Sequence, residues 1–342
     1  HNLRVPILMA PMASACPASL AIAVANAGGL GGCGALLMQP DAIHKWVADV
    51  RAGTNGGFQL NLWIPDPPPK RDSAAEDAIR RFLSNWGPEV PAGAGDIKPP
   101  NFEAQCEAML EAGPTIISSI MGLFPERFVA LMKSKGIKWL ATVTTVGEAK
   151  AAESAGADII VAQGMEAGGH RGAFDATQAQ TRMVGLFSLL PTVVDAVKLP
   201  VVAAGGIADG RGVAAALLLG ASAVEIGTAL LRCPEAKVAS AWADAIGRTA
   251  PEDTMVSRVF SGRPARSIAN AYARAATSPT APPAAPYPVQ RALTQAMRDA
   301  AAKENDIGRI QAWAGQSASL AKAIPAGEVV HRLWEDAQAL LR

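Results

Sequence analysis

Pro200–Gly212 reads PVVAAGGIADGRG, and Ala223–Thr228 reads AVEIGT. In the first stretch an apolar run of strand length enters Gly205-Gly206, and a helix-like segment, Gly210–Leu219, begins soon after. In the second, another apolar run closes on Gly-Thr. Two strands apolar on both faces, joined by a helix, form one parallel α/β unit. The unit recurs. Ala151–Gly164, AAESAGADIIVAQG, and Ala214–Gly227, AAALLLGASAVEIG, both run from a helix end through Gly-Ala into a strand that closes on Gly.

Working outward, the same alternation covers most of the chain. The apolar runs are Val5–Met12, Leu30–Ala35, Phe58–Ile64, Thr115–Met121, Lys138–Val143, Asp158–Gly164, Pro200–Gly206 and Ala223–Leu230. Helix-like segments fall between them, at Pro17–Ala27, Asp41–Ala52, Pro125–Lys135 and Val146–Ala155. Eight such units in about 230 residues predict an α/β fold of the TIM (β/α)8 barrel type. A doubly wound sheet would show the same local pattern. The barrel is assigned to residues 1–231, with a Pro-rich segment inserted after the third strand, bounded at 65–112 and carrying a helix at Ser73–Asn85. Residues 232–326 read as a mostly helical substrate or lid region. Its Pro-rich part, Ser278–Pro288, is either a lid or a surface linker. The last segment, 327–342, reads as an amphipathic helix that packs back on the barrel.

Composition narrows the function. Basic and acidic residues nearly balance, 31 against 30, which argues against a nucleic-acid partner. Val5 to Pro40 carries no charge, but four prolines and five glycines break it into pieces too short for a membrane span or a signal peptide. The four cysteines form no CxxC pair and no metal-ligand spacing with histidine, so structural thiols and a cytoplasmic protein without a metal are expected. The chain starts at His1 without a Met, so residues before it are expected to be missing or removed. GxSxG and Walker motifs are absent and no GxGxxG follows a strand, which disfavours a serine hydrolase, a P-loop enzyme and a Rossmann NAD site. Glu166 lacks the second acid that a paired-carboxylate hydrolase requires.

The loops after the last two barrel strands commonly hold a phosphate. Glycine lets backbone N–H groups approach it, and a helix N-terminus adds partial positive charge. Gly205, Gly206, Gly227 and Thr228 are the candidates. Other strand ends carry groups suited to a flavin ring, which needs apolar contacts on its face and amides along its edge. These are Met9, Ala10, Pro11 and Met12 after strand one, Asn61 in strand three and Gln163 at the end of strand six. His170 follows Gly168 and Gly169 on the loop QGMEAGGHR. His44 and His331 fall on surface helices and His1 at the chain end, so His170 is the candidate base.

APM at the first strand, NAGGLG at Asn26–Gly31, EAGGH at Glu166–His170, AAGGIADGRG at Ala203–Gly212 and EIGT at Glu225–Thr228 resemble the nitronate monooxygenases. The EAGGH and GGIADGRG pair is shared with flavin-dependent enoyl-ACP reductases and some NADH:quinone reductases. FSGRPAR at Phe260–Arg266, PYPVQ at Pro286–Gln290 and WAGQS at Trp313–Ser317 resemble class I of the former family. The resemblance implies FMN held by Asn61, Gln163, Gly168, Gly206 and Glu225, Ile226, Gly227 and Thr228, with Gly169 beside them and His170 as catalytic base. Arg263, Tyr287 and Gln316 match its motifs, with Gln316 placed at the cofactor. It also implies oxidation of alkyl nitronates, such as propionate 3-nitronate, by O2 to an aldehyde with nitrite or nitrate. The alternatives are an NAD(P)H-linked quinone or enoyl-thioester reductase, and a flavin-binding protein without catalysis. The sequence is compatible with a homodimer and does not fix the oligomeric state.

Overall fold

The computed structural model describes residues 3–342. Eight parallel strands make one sheet: β1 (Ile7–Met9), β2 (Gly31–Gly34), β3 (Phe58–Trp63), β4 (Ile116–Ile120), β5 (Lys138–Val143), β6 (Ile159–Gln163), and, after a short β7 (Gly169–His170) that lies outside it, β8 (Val201–Ala204) and β9 (Ala223–Ile226). Their order is β1-β9-β8-β6-β5-β4-β3-β2. The ends of that row meet: Leu8 bridges Leu30, Met9 N–H donates to Leu30 O at 2.8 Å, and Leu30 N–H donates to Ile7 O at 3.0 Å. The sheet thereby closes as a TIM barrel.

The strands are buried because both faces are covered. Leu8, Leu30, Ile116, Leu140, Val161 and Val202 fill the barrel. The alternate residues, among them Ile7, Met9, Leu60, Ile160 and Ile226, pack outward against helices. Glycine at β2 is set by this closeness. A Cβ on Gly32 would lie 2.4 Å from the Met9 carbonyl oxygen, so NAGGLG and the following Gly allow the first two strands to meet.

The ring of helices is α1 (Ala18–Asn26), α2 (Pro40–Gly53), α4 (Phe102–Ala112), α5 (Glu126–Ser134), α6 (Val146–Ser154), α7 (Leu186–Ala196) and α8 (Gly210–Leu218), while α3 (Ser73–Leu83), in the segment after β3, packs instead against residues 289–293. Side-chain caps start several of them. Asp72, Asn101, Thr145 and Asp209 accept from first-turn amides of α3, α4, α6 and α8. The sequence pattern passed over α4 and α7. The first packs on α2, and the second tolerates Pro191 within its length.

Beyond β9 the chain adds α9 (Ser240–Ile246), α10 (Ala271–Ala276), α11 (Val289–Leu293), α12 (Gln295–Glu304) and α13 (Ala326–Leu340). The last of these packs on α8 and α1. The expectation of helices and loops alone for this region needs correction. It also supplies β10 (Thr254–Ser257) and β11 (Ala265–Ile268), and β11 pairs antiparallel with β7. Among the described residues no helix is long and apolar enough to cross a membrane.

Candidate active site

A cavity of about 260 Å³ opens at the carboxyl ends of the barrel strands. Ala10, Pro11 and Met12 line it after β1, and Asn61 and Gln163 line it from β3 and β6. Gly168, Gly169 and His170 form one side; Gly205, Gly206, Glu225, Gly227 and Thr228 form another. Three expected contacts lie elsewhere. Met9 and Ile226 are fully buried in the strand–helix layer, because alternate strand residues face opposite ways. Gln316 is off the cavity wall, and its backbone N–H donates to Glu166 O at 2.9 Å.

The glycine loops suit an oxyanion. Gly205 and Gly206 adopt φ of +101° and +71°, which turns the chain sharply after β8. Among the described residues the amides of Gly205, Gly206 and Gly227 donate to no protein acceptor. Unpaired donors turned toward a cavity from half-buried loops can take an anionic ligand, and a phosphate fits that need. The helix that follows contributes less than the sequence suggested. Asp209 caps α8 and takes the amides of Arg211 and Gly212, so its end is already satisfied.

The side-chain amides have mixed availability. Gln163 spends its oxygen on the Gly172 N–H at 2.8 Å and its Nε2 on the His170 carbonyl at 3.1 Å, which ties the His170 loop to β6. Asn61 Nδ2 donates to Ser118 Oγ at 3.0 Å and leaves its oxygen free of any described donor. Glu166 faces away, accepting from the Leu186 N–H at the start of α7, so it is a capping residue rather than a catalytic acid.

His170 is placed by partners that no local pattern announces. Its strand pairs with β11 at Ala265, and the Arg171 N–H donates to Pro264 O. Ser261 Oγ lies 2.7 Å from Nε2. The rings of Trp63 and Trp313 meet the imidazole edge-on, with centroids 4.6 and 5.1 Å away. Buried Arg263 pairs with Asp66 at 3.2 Å, and Arg266 donates to the Met165 carbonyl, bracing the loop from below. Tyr287 lies tilted against Trp63, with ring centroids 5.3 Å apart, and Arg291 joins it on the wall. Among the described residues the Arg291 guanidinium and the Tyr287 hydroxyl have no hydrogen-bond or ion-pair partner. Trp63, Trp313, Ser261 and Arg291 were not among the residues the sequence singled out for the site. Tyr287 and Arg263 were legible only as motif matches.

Burial pushes the His170 imidazole down to about 3, and Arg263 and Arg291 push it the same way. The ring is half-buried on the cavity wall, and with its proton affinity held this low it is neutral throughout the physiological range. Across the barrel mouth, burial raises the Glu225 carboxyl to about 7, against a Gln59 amide that donates to it at 2.9 Å. The two groups act oppositely on stability. Native His170 binds fewer protons than the unfolded chain between pH 3 and 6.5, so its contribution improves as pH rises there. Native Glu225 holds a proton that the unfolded chain loses above 4.5, so its contribution worsens from there to about 7. Glu225→Gln is therefore expected to increase the gain in stability from pH 4.5 to pH 7 by about 3 kcal/mol over the parent. Urea unfolding at the two pH values checks this, and an unchanged difference would show that Glu225 is ionised in the folded protein.

His44 lies at the surface beside Glu111, and His331 is exposed on α13, as the sequence suggested; His1 lies outside the described residues. No group of three or more His, Cys, Asp or Glu suited to a metal occurs among the described residues.

Comparison with known proteins bears on this arrangement. The family model for nitronate monooxygenase matches residues 1–336. A nitronate monooxygenase of Paraburkholderia phytofirmans is 39% identical over 96% of this chain and 91% of its own length. One of Pseudomonas aeruginosa is 36% identical over 98% of this chain and 97% of its own. A nitroalkane oxidase from Streptomyces ansochromogenes superposes with a TM-score of 0.89 at 34% identity, covering 100% of this chain and 99% of that one. FabK from Thermotoga maritima superposes at 0.76 with 28% identity, covering 99% and 94%. A TIM barrel with a Gly-rich oxyanion cradle, a neutral histidine over its mouth and full-length likeness to these oxidoreductases places the chain in the nitronate monooxygenase family, whose members are flavin-dependent.

Proposed function

We propose that this chain uses FMN and O2 to oxidise alkyl nitronates, of the type of propionate 3-nitronate, to an aldehyde with nitrite or nitrate. The observation that carries the reading is the wall around His170: a neutral imidazole beside the unpaired Arg291 guanidinium and the Tyr287 hydroxyl. A cation without a counter-ion favours an anionic guest, which a nitronate is and a quinone is not. The amides of Gly205, Gly206 and Gly227 would hold the FMN phosphate, while Ala10, Pro11, Met12 and Asn61 border the space for its ring. When bound, FMN supplies the two-way electron carrier between nitronate and oxygen.

The protein's own residues handle charge and protons. Arg291 and Tyr287 bind the anionic nitro group or another anionic group of the substrate. Trp63 and Trp313 exclude water and hold the imidazole edge. For a neutral nitroalkane, His170 takes the α-proton. For a preformed nitronate that step is not needed.

The likeness to FabK and the motifs shared with reductases give a second reading, an NAD(P)H-linked reductase. Anaerobic mixing of the flavin-loaded protein with propionate 3-nitronate, and separately with NADH or NADPH, decides between them. Rapid bleaching of flavin absorbance by the nitronate alone is the expected result. Bleaching by a nicotinamide with no response to nitronate would replace this function with the reductase.

A further inference from the structure

The FSGRPAR segment does more than brace the loop. Its strand pairs Ala265 with His170, and four residues earlier it presents Ser261, buried, with Oγ 2.7 Å from His170 Nε2. The hydroxyl has two further neighbours. Its oxygen lies 3.3 Å from the Arg263 carbonyl and 3.4 Å from the Arg263 N–H. A carbonyl can only accept, so satisfying it requires the single hydroxyl hydrogen to point there. The lone pairs of Oγ then take the Arg263 N–H and a hydrogen on Nε2. All three contacts are satisfied together only when Nε2 carries the imidazole proton.

We propose that Ser261 is a positioning residue that holds His170 as the Nε2–H tautomer and leaves Nδ1 bare for the substrate's proton. The proposal rests on the proton-abstracting role of His170 given above. Among the described residues Nδ1 has no hydrogen-bond partner, while the ring that bears it lines the cavity. Trp63 and Trp313 meet the ring edge-on at interplanar angles of 70° and 66°, which limits its rotation away from Ser261. In the step itself the α C–H bond of a nitroalkane breaks and its proton bonds to Nδ1. The electron pair spreads over the nitro oxygens, giving a nitronate and an imidazolium. The Nε2–H to Ser261 bond then becomes charge-assisted and stronger, so the serine favours the protonated product of the step. The second nitrogen of a histidine commonly sets which first nitrogen reacts in this way.

The tautomer can be read directly. The chain has four histidines, so two-bond 1H–15N spectra of the flavin-loaded, 15N-histidine-labelled protein are tractable, with His170 assigned by its loss in His170→Asn. The expected spectrum shows a protonated Nε2 and a bare Nδ1. In Ser261→Ala the two tautomers should mix. There, kcat/KM for a neutral nitroalkane should fall roughly 10- to 100-fold, the loss of one hydrogen bond to a charged donor, with a much smaller fall for a preformed nitronate. A protonated Nδ1 in the parent protein overturns the proposal, as does a Ser261→Ala protein with the parent's tautomer and nitroalkane rate. If Ser261→Ala does not fold, the parent spectrum alone decides. A protein that turns over neither nitroalkane nor nitronate would sink the function proposed above, while the spectrum would still report the tautomer.

Discussion

His170→Asn is expected to remove turnover of neutral nitroalkanes, by roughly a hundred- to ten-thousandfold in kcat/KM, while much of the turnover of preformed nitronates survives. Asparagine keeps a polar group between Trp63 and Trp313 but cannot accept the α-proton. The surrounding electrostatics shape the pH dependence. Because burial, then Arg263 and Arg291, hold the imidazole down to about 3, the base is ready at any ordinary pH. The kcat/KM profile for nitroalkanes should therefore show no acid limb near 6.5. A weak base of this kind works because its product is paired. The imidazolium forms together with a nitronate anion, and Arg291 stands on the same wall to receive that anion. Steady-state assays of both substrate forms across pH 5 to 8 test the idea. Equal retention of the two activities would remove His170 from the base role. A clear limb near 6.5 would mean that the ring is far better solvated than its surroundings indicate.

Gly168→Ala is expected to be the most damaging single-methyl change at the site. A Cβ there would lie 2.5 Å from the Gly315 nitrogen and 2.6 Å from the Ala314 carbonyl carbon, both backbone atoms that cannot swing aside. The His170 loop and the 313–317 segment are held together at this point. Gln316 N–H donates to Glu166 O, Gly315 N–H to Thr228 Oγ1 at 3.0 Å, and Ser317 Oγ to Gly206 O at 2.6 Å. Prising them apart disturbs the His170 loop and both oxyanion loops together. Overpacking of this kind costs about 1–3 kcal/mol, and here it falls on the loops proposed to hold the cofactor. The variant should purify with little bound flavin and a lowered Tm, its far-UV circular dichroism still that of the barrel. Gly169→Ala is the control. Its Cβ would meet nothing within 4 Å, so only the strain of φ +75° remains, about 1–2 kcal/mol. If Gly168→Ala holds flavin as well as the parent, the close approach of these segments is not what builds the site.

The barrel was legible because its evidence is local and repeated. Strands apolar on both faces, with helices between them, leave few folds open. Glycines mark positions where backbone passes backbone, as at Gly32 against Met9 or in the positive-φ turn at Gly205-Gly206. His170 was readable as a candidate for the same reason, standing on a Gly-rich loop at a strand end. The errors also have a common origin. Met9 and Ile226 were placed at the cofactor although they point into the helix layer. In a strand with both faces buried, hydrophobicity does not reveal which residues face the barrel mouth.

The sequence by itself determined the architecture, the position of the glycine cradle and the identity of the candidate base. Tertiary structure alone decided the surroundings of that candidate. Ser261, Arg263 and Arg291 are 91 or more residues from His170 along the chain, on segments whose own patterns suggest only helix and loop. Pairing of β7 with β11 brings the serine and the first arginine to the imidazole, and α11 presents the second arginine at the cavity. The proton affinity of a side chain and the tautomer it adopts depend on the charges and hydrogen-bonding groups within a few ångströms of it. Only the folded chain brings those groups that close.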